Sequence, residues 1–346
     1  MGRLQSTTLH CLSSRAERGI CIVAANCRSL APLGMTKIGV IAAILLAFFA
    51  VAQEPGLNSP QNVRPVQPPS APPTQLLPDV SGTVPQEQIR ELLRYAQEKE
   101  FENEKRLRDY TYIEREEEHM LDGNGHVKKV KTRTLEVLEV YGEPVERLIA
   151  KDDKLLSSEE AKKEDEKIQK VIDKRKNESE RDRRKRVEKE EKEHDEDRKF
   201  VLEIADAFDF RLVGSEVLEG RDTWEIEAEP RPGYQPKERA TKLLSKFKGR
   251  VWIDKAEGQW VRLDITAIDT ISVGLFLARF HKGAHIVAEQ TKINDEVWLP
   301  KHVAVQVDVR LALLKNINAD VDQTFRDYKK FRADSKITVV GEEVRQ

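Results

Sequence analysis

Between Gly249 and Phe331 apolar and polar residues alternate with a period of two, run after run, and few architectures accept such a chain. Val251 and Ile253 fall on one side, Trp252 and Asp254 on the other. Val261, Leu263 and Ile265 repeat the pattern around Arg262 and Asp264. Val303, Val305, Val307, Val309 and Leu311 then alternate with Ala304, Gln306, Asp308 and Arg310. Successive strand side chains point to opposite faces, so this is the pattern of an antiparallel strand with one face on a core and the other in water. Lys255-Ala256-Glu257-Gly258 and Asn294-Asp295-Glu296 are short polar turns of hairpin type between such runs. The expected fold is α+β: a strongly curved antiparallel sheet, an incomplete β-barrel, packed on helices.

Upstream elements extend the sheet. Pro85 suits the first turn of a helix that Ser81 or Thr83 is placed to cap, and Ile89, Leu92, Leu93 and Ala96 recur at helical spacing. Tyr110 to Ile113 begins a strand, Asp122-Gly123-Asn124-Gly125 turns it, and a phase slip between Val137 and Leu138 suggests a bulge. Later, Trp224, Ile226 and Ala228 alternate with Glu225, Glu227 and Glu229, the acidic set reading as the wet side of a sheet. A short amphipathic helix is expected over 200–208 and another over 237–247.

The N-terminal region carries an address. Lys37 precedes a continuous apolar run from Ile38 to Phe49, and Ala50-Val51-Ala52 gives the small-x-small pattern of a signal-peptidase site. The run is about 15 residues, short of the roughly 20 that a spanning helix needs, so a cleaved signal peptide over 35–52 is favoured over a retained anchor. Residues 1–34 resemble no signal n-region and read as a start-site artefact, with Met35 the true start. Cys11, Cys21 and Cys27 all lie there, which leaves the remainder without disulfides or thiolate chemistry. Prolines crowd 53–84, an extended, disordered linker. A single domain over 85–336 follows, then a tail over 337–346.

Residues 157–199 are charged almost without pause. Ser157-Ser158-Glu159-Glu160 is a capping box, and acid-first pairs such as Glu166–Lys170, Glu180–Arg184 and Glu188–Lys192 sit at i,i+4 spacing, each worth about 0.2–0.5 kcal/mol. Ala161, Ile168, Val171 and Ile172 give only the first half an apolar face. This reads as a solvated helical insertion whose second half projects, with an envelope protein as the alternative partner. The whole chain's net charge of -2 and the mixed signs here exclude the one-signed field that nucleic acid requires.

Catalytic motifs are missing. The sequence holds no Gly-rich phosphate loop, H-E-x-x-H or G-x-S-x-G, so no catalytic residue, cofactor or metal ligand is assigned. His281 and His285 are separated by a turn-like Lys282-Gly283-Ala284, which keeps them from sharing a metal.

Thr223-Trp224-Glu225-Ile226, a proline-rich loop, Gly249-Arg250-Val251-Trp252-Ile253-Asp254 and the long strands after them resemble the outer-membrane lipoprotein-sorting family, the LolA/LolB-like group with its RseB-like members, over roughly 199–336. The resemblance implies an incomplete barrel wrapped over helices, with an apolar hollow for lipid or lipoprotein acyl chains and no enzymatic activity. The insertion 157–199 and the lack of a lipobox depart from that pattern. An exported, periplasmic, non-enzymatic carrier with no membrane span in the mature chain is therefore expected. Its cavity lining would be Trp224, Ile226, Val251, Ile253, Val261, Leu263, Ile265, Phe276, Leu277, Phe280, Val303, Val305, Val307 and Val309. The apolar segment 271–280 is expected to be a helix, either a lid over the hollow or a core helix on the sheet.

Overall fold

The alternating runs do become strands. The computed structural model describes residues 75–330 apart from 142, 238–239, 274–277 and 312–314. Helix α1 (Gln86–Leu107) is followed by β1 (Tyr110–Leu121), β2 (Val127–Val140), β3 (Glu143–Lys151) and β4 (Lys154–Leu155). Helices α2 (Ser158–Lys176) and α3 (Glu180–Ala207) come next, then β5 (Phe208–Leu218) and β6 (Arg221–Pro230). After a 3-10 turn over Ala240–Lys246 come β7 (Phe247–Asp254), β8 (Trp260–Ala267), β9 (Ile271–Val273), β10 (Ala278–Phe280), β11 (His285–Ile293), β12 (Val297–Leu311) and β13 (Lys315–Lys330).

The strands form one antiparallel sheet in the order β4-β3-β2-β1-β13-β12-β11-β8-β7-β6-β5, with the β9–β10 pair attached to β12. The sheet is not closed. Its two edges, β4 and β5, are consecutive strands, and the charged segment is the connection that carries the chain from one edge to the other. The β5 edge is blunted by a side chain: Phe210 N donates to Gln86 Oε1 at 2.9 Å, and Gln86 Nε2 donates back to the Phe210 carbonyl. A glutamine thereby does what a neighbouring strand would do for an exposed edge.

Helix α1 lies across the strands. Gln86 touches β5, whereas Asn103 accepts from Trp298 N in β12. Five inter-strand steps separate β5 from β12 in the order, roughly 24 Å at about 4.8 Å each. The helix between those residues is about 26 Å long at about 1.5 Å per residue. Its Ile89, Leu92, Leu93 and Ala96 bury against Phe208, Phe210, Trp224, Ile226, Val251 and Ile253. Ile89, Leu92, Ile226 and Ile253 are completely buried, and each such side chain contributes about 2–3 kcal/mol of transfer free energy. Leu76, in what reads as the end of the linker, joins this cluster.

Several local expectations are corrected. Ser81 and Thr83 do not cap α1; both hydroxyls donate to the Asp79 carboxylate, a stronger acceptor, and Pro85 precedes the first turn unaided. The segment 200–208 is the end of the long α3 rather than a helix of its own, and 237–247 gives only the 3-10 turn. Val137 and Leu138 pair in step with Glu146 and Val145, so no bulge separates them; the extra residue is Ile149 of β3, opposite Thr134 and Leu135. The segment 271–280 contains no described helix: Ile271–Val273 pairs with Ala278–Phe280, and β10 pairs with β12, so strand partners satisfy the backbone there. The capping box at Ser157 forms, Glu160 N donating to Ser157 Oγ at 3.3 Å and Ser157 N to Glu160 Oε2 at 3.1 Å.

Candidate binding face

Side chains paired across neighbouring strands share a face, so the register defines what lies on the side that α1 packs against. One row runs Leu212, Ile226, Val251, Leu263, Ala288 and Val303, from β5 through β12. It continues as Gln323, Glu116 and Arg133 on β13, β1 and β2. The next row runs Ala228, Gly249, Ile265, Ile286, Val305 and Val321, then Glu118 and Lys131. Along these two rows the inner face is apolar over six strands and becomes charged where β13 meets β1, while further along the same strands Tyr112, Val137 and Phe325 keep it apolar. Within the charged strip Arg133 meets Glu116 at 2.7 Å, Lys131 meets Glu118 at 3.0 Å, and Gln323 Nε2 donates to Glu116 at 3.3 Å.

The expected lining residues divide along this face. Trp224, Ile226, Val251 and Ile253 lie beneath α1. Leu263 packs on both this cluster and the next. Val303 and Val305 belong with Tyr112, Val137, Ile286, Ala288 and Phe325, where Leu107 is the buried α1 residue; Ile265 and Val307 pack on the same cluster. Val309 is buried and pairs with Phe280, which packs on Phe247, Ala267 and Ile271. Phe276 and Leu277 lie outside the described residues. Val261 is buried but sits at a bulge, where Ile253 pairs with Trp260. That one-residue slip brings Trp260, which simple alternation overlooks, against both large clusters.

A buried polar chain joins α1 to the sheet. Gln290 Nε2 donates to both Glu100 oxygens at 2.9 and 2.8 Å, and Gln259 Nε2 donates to Glu100 Oε2 at 3.0 Å. Gln259 Nε2 also reaches Gln290 Oε1 at 3.0 Å, while Asn103 Nδ2 donates to Gln259 Oε1 at 3.0 Å. Glu100 keeps some exposure as a residue, but its carboxyl is enclosed by these groups. Burial pushes it up to about 7, with Glu104 one turn on adding to the rise and the glutamine donors opposing it. Of these residues only Gln290 left a sequence signal, as the polar member of the inward series Ile286, Ala288, Gln290.

At the rim, Arg221 stacks 4.6 Å from the Trp298 ring and pairs with the buried Asp254 at 2.8 Å. Glu257 accepts from Trp298 Nε1 at 2.9 Å and pairs with Lys292 at 2.9 Å. On the opposite face Glu225 and Glu227 pair with Arg250, and His285 meets Asp264 at 2.7 Å. Among the described residues no cluster of three or more His, Cys, Asp and Glu is arranged to hold a metal, and no helix is long and apolar enough to cross a membrane.

No family model matches the chain, and no curated protein does. Among solved structures it is similar to an outer membrane lipoprotein-sorting protein domain from Vibrio parahaemolyticus, at 13% identity over 71% of this chain and 95% of that one, with a TM-score of 0.28. It is also similar to a DUF1329 family protein from Desulfovibrio piger, at 12% identity over 70% and 95%, TM-score 0.25. A LolA superfamily protein from Nitrosomonas europaea matches at 8% identity over 70% and 92%, TM-score 0.24. Likeness at this level does not bear on ligand or activity.

Proposed function

We propose that this protein is an exported, periplasmic, non-enzymatic carrier that holds a lipid or lipoprotein acyl chain against the inner face of its open sheet. One observation carries the reading: an apolar strip six strands wide, continuous in register, ends in a charged strip on the same face. An amphiphile matches that sequence of surfaces, its chain on the valines and leucines and its polar end toward Glu116 and Arg133. Each CH₂ removed from water contributes about 0.8 kcal/mol, which is enough for a long chain to bind without specific polar contacts. Helix α1 crosses the strip from β5 to β12, where Leu107 is buried beside Val303 and Val305, so the cargo takes the half-buried part of the strip around Val307 and Val321.

Titration with a fluorescent long-chain fatty acid tests this. Saturable uptake with one chain per protein is expected, weakened about tenfold or more by Val307→Trp, which fills the half-buried position beside Ala319. Uptake that is absent, or indifferent to Val307→Trp in a folded variant, refutes the carrier.

A further inference from the structure

The corner between α2 and α3 carries a charge distribution that helix physics does not explain. From Lys170 to Arg186 there are nine Lys and Arg against four Asp and Glu, a net of +5 in a protein of net -2. The rest of the charged part of α3, 187–199, has seven acidic residues against four basic ones, a net of -3. Lys174, Arg175 and Lys176 in the last turn of α2 are favourably placed against its dipole. Arg181, Arg183, Arg184 and Lys185 are not: they crowd the N-terminal turns of α3, the end where cations are repelled. Partial compensation comes from Glu178 and from the Glu180–Arg184 pair, but four exposed cations in the first two turns exceed it, and such a local excess marks a place held for something other than folding.

The corner itself is built to stay in shape. Ser179 caps α3 by accepting from Asp182 N at 3.1 Å, and Glu178 pairs with Arg175 at 3.3 Å and Arg186 at 2.9 Å. Those two arginines are spent on the turn. Lys174, Lys176, Arg181, Arg183, Arg184 and Lys185 all stand exposed around it, with the exposed Val187 one step beyond.

We propose that this corner docks the protein on an anionic lipid surface. A planar array of phosphates satisfies a compact group of cations met end-on, without requiring a groove. A nucleic acid lying along α3 would run into its acidic stretch, and 157–199 contain no Phe, Tyr or Trp on which a base could stack. The carrier reading supplies the reason to approach a bilayer, but docking is measured apart from cargo uptake, so either can fail alone.

The test is co-sedimentation of the full chain with vesicles of phosphatidylcholine containing about 30% phosphatidylglycerol, against pure phosphatidylcholine, at low salt and at about 0.5 M salt where surface charges are screened. Binding to the anionic vesicles is expected to exceed that to neutral ones by about tenfold or more and to collapse at high salt. The variant R181E/R183E/R184E/K185E should lose it, and K162E/K163E/K192E/K199E, with as many reversals outside the corner, should keep most of it. If the corner reversal unfolds, the milder R181Q/R183Q/R184Q/K185Q reads the same loss. Equal binding to neutral vesicles, equal loss in both reversal variants, or a stronger interaction with duplex DNA or an acidic protein than with the anionic vesicles overturns the proposal.

Discussion

Replacing Glu100 by Gln should remove a pH dependence from the folding stability that runs opposite to the usual acid-denaturation trend. The carboxyl titrates at about 7 in the folded protein against 4.5 when exposed, because burial between α1, Gln259 and Gln290 penalises its charged form. Between those values the folded state holds a proton that the unfolded state has released. Stability from this group is therefore fully present below about pH 4.5, declines as pH rises, and is lost above about 7. At about 1.4 kcal/mol per pH unit the full loss is about 3 kcal/mol, an upper figure because the residue keeps some contact with solvent. Glu160, held at about 2 by Ser157 and Lys151, titrates below this window and does not confuse it. The assay is urea unfolding of both proteins at pH 5 and pH 8. Glu100→Gln should match the parent within about 1 kcal/mol at pH 5 and exceed it by about 2–3 kcal/mol at pH 8. Parallel profiles for the two proteins would refute the buried-carboxyl account.

Other substitutions test the sheet. Gly249→Ala places a Cβ 2.5 Å from the Asp264 carbonyl oxygen, a backbone atom that cannot swing aside; a cost of about 2–3 kcal/mol should appear as a lower denaturation midpoint, and a neutral result would show the β7–β8 register to be wrong. Gln86→Ala frees the β5 edge from both hydrogen bonds, costing about 1–2 kcal/mol and raising self-association on storage, measured by light scattering.

Strand positions were legible because the alternation is long and strict in β6, β7 and β12, and the hairpin turns at 255–258 and 294–296 announced themselves. The inner face was legible only strand by strand. That Val303 stands beside Gln323 and Glu116, and Ile253 beside Trp260, depends on pairing and bulges that no local pattern encodes. Segment 271–280 was misread because a short apolar run fits a buried helix and a paired strand equally well, and β12 decided it. The Glu100 network was largely hidden for a different reason: apart from Gln290 on its inward strand series, neither Glu100 on a surface-like helix nor Gln259 in the turn after β7 gives a sign that they will meet.

Native mass spectrometry of the protein as purified from a lipid-containing host, with analysis of its organic extract, asks directly whether the apolar strip shelters a chain. A population heavier by the mass of one lipid or acyl species, recovered in the extract and diminished in Val307→Trp, is the predicted result. A protein that is lipid-free as isolated and stays so after incubation with fatty acid would contradict the account.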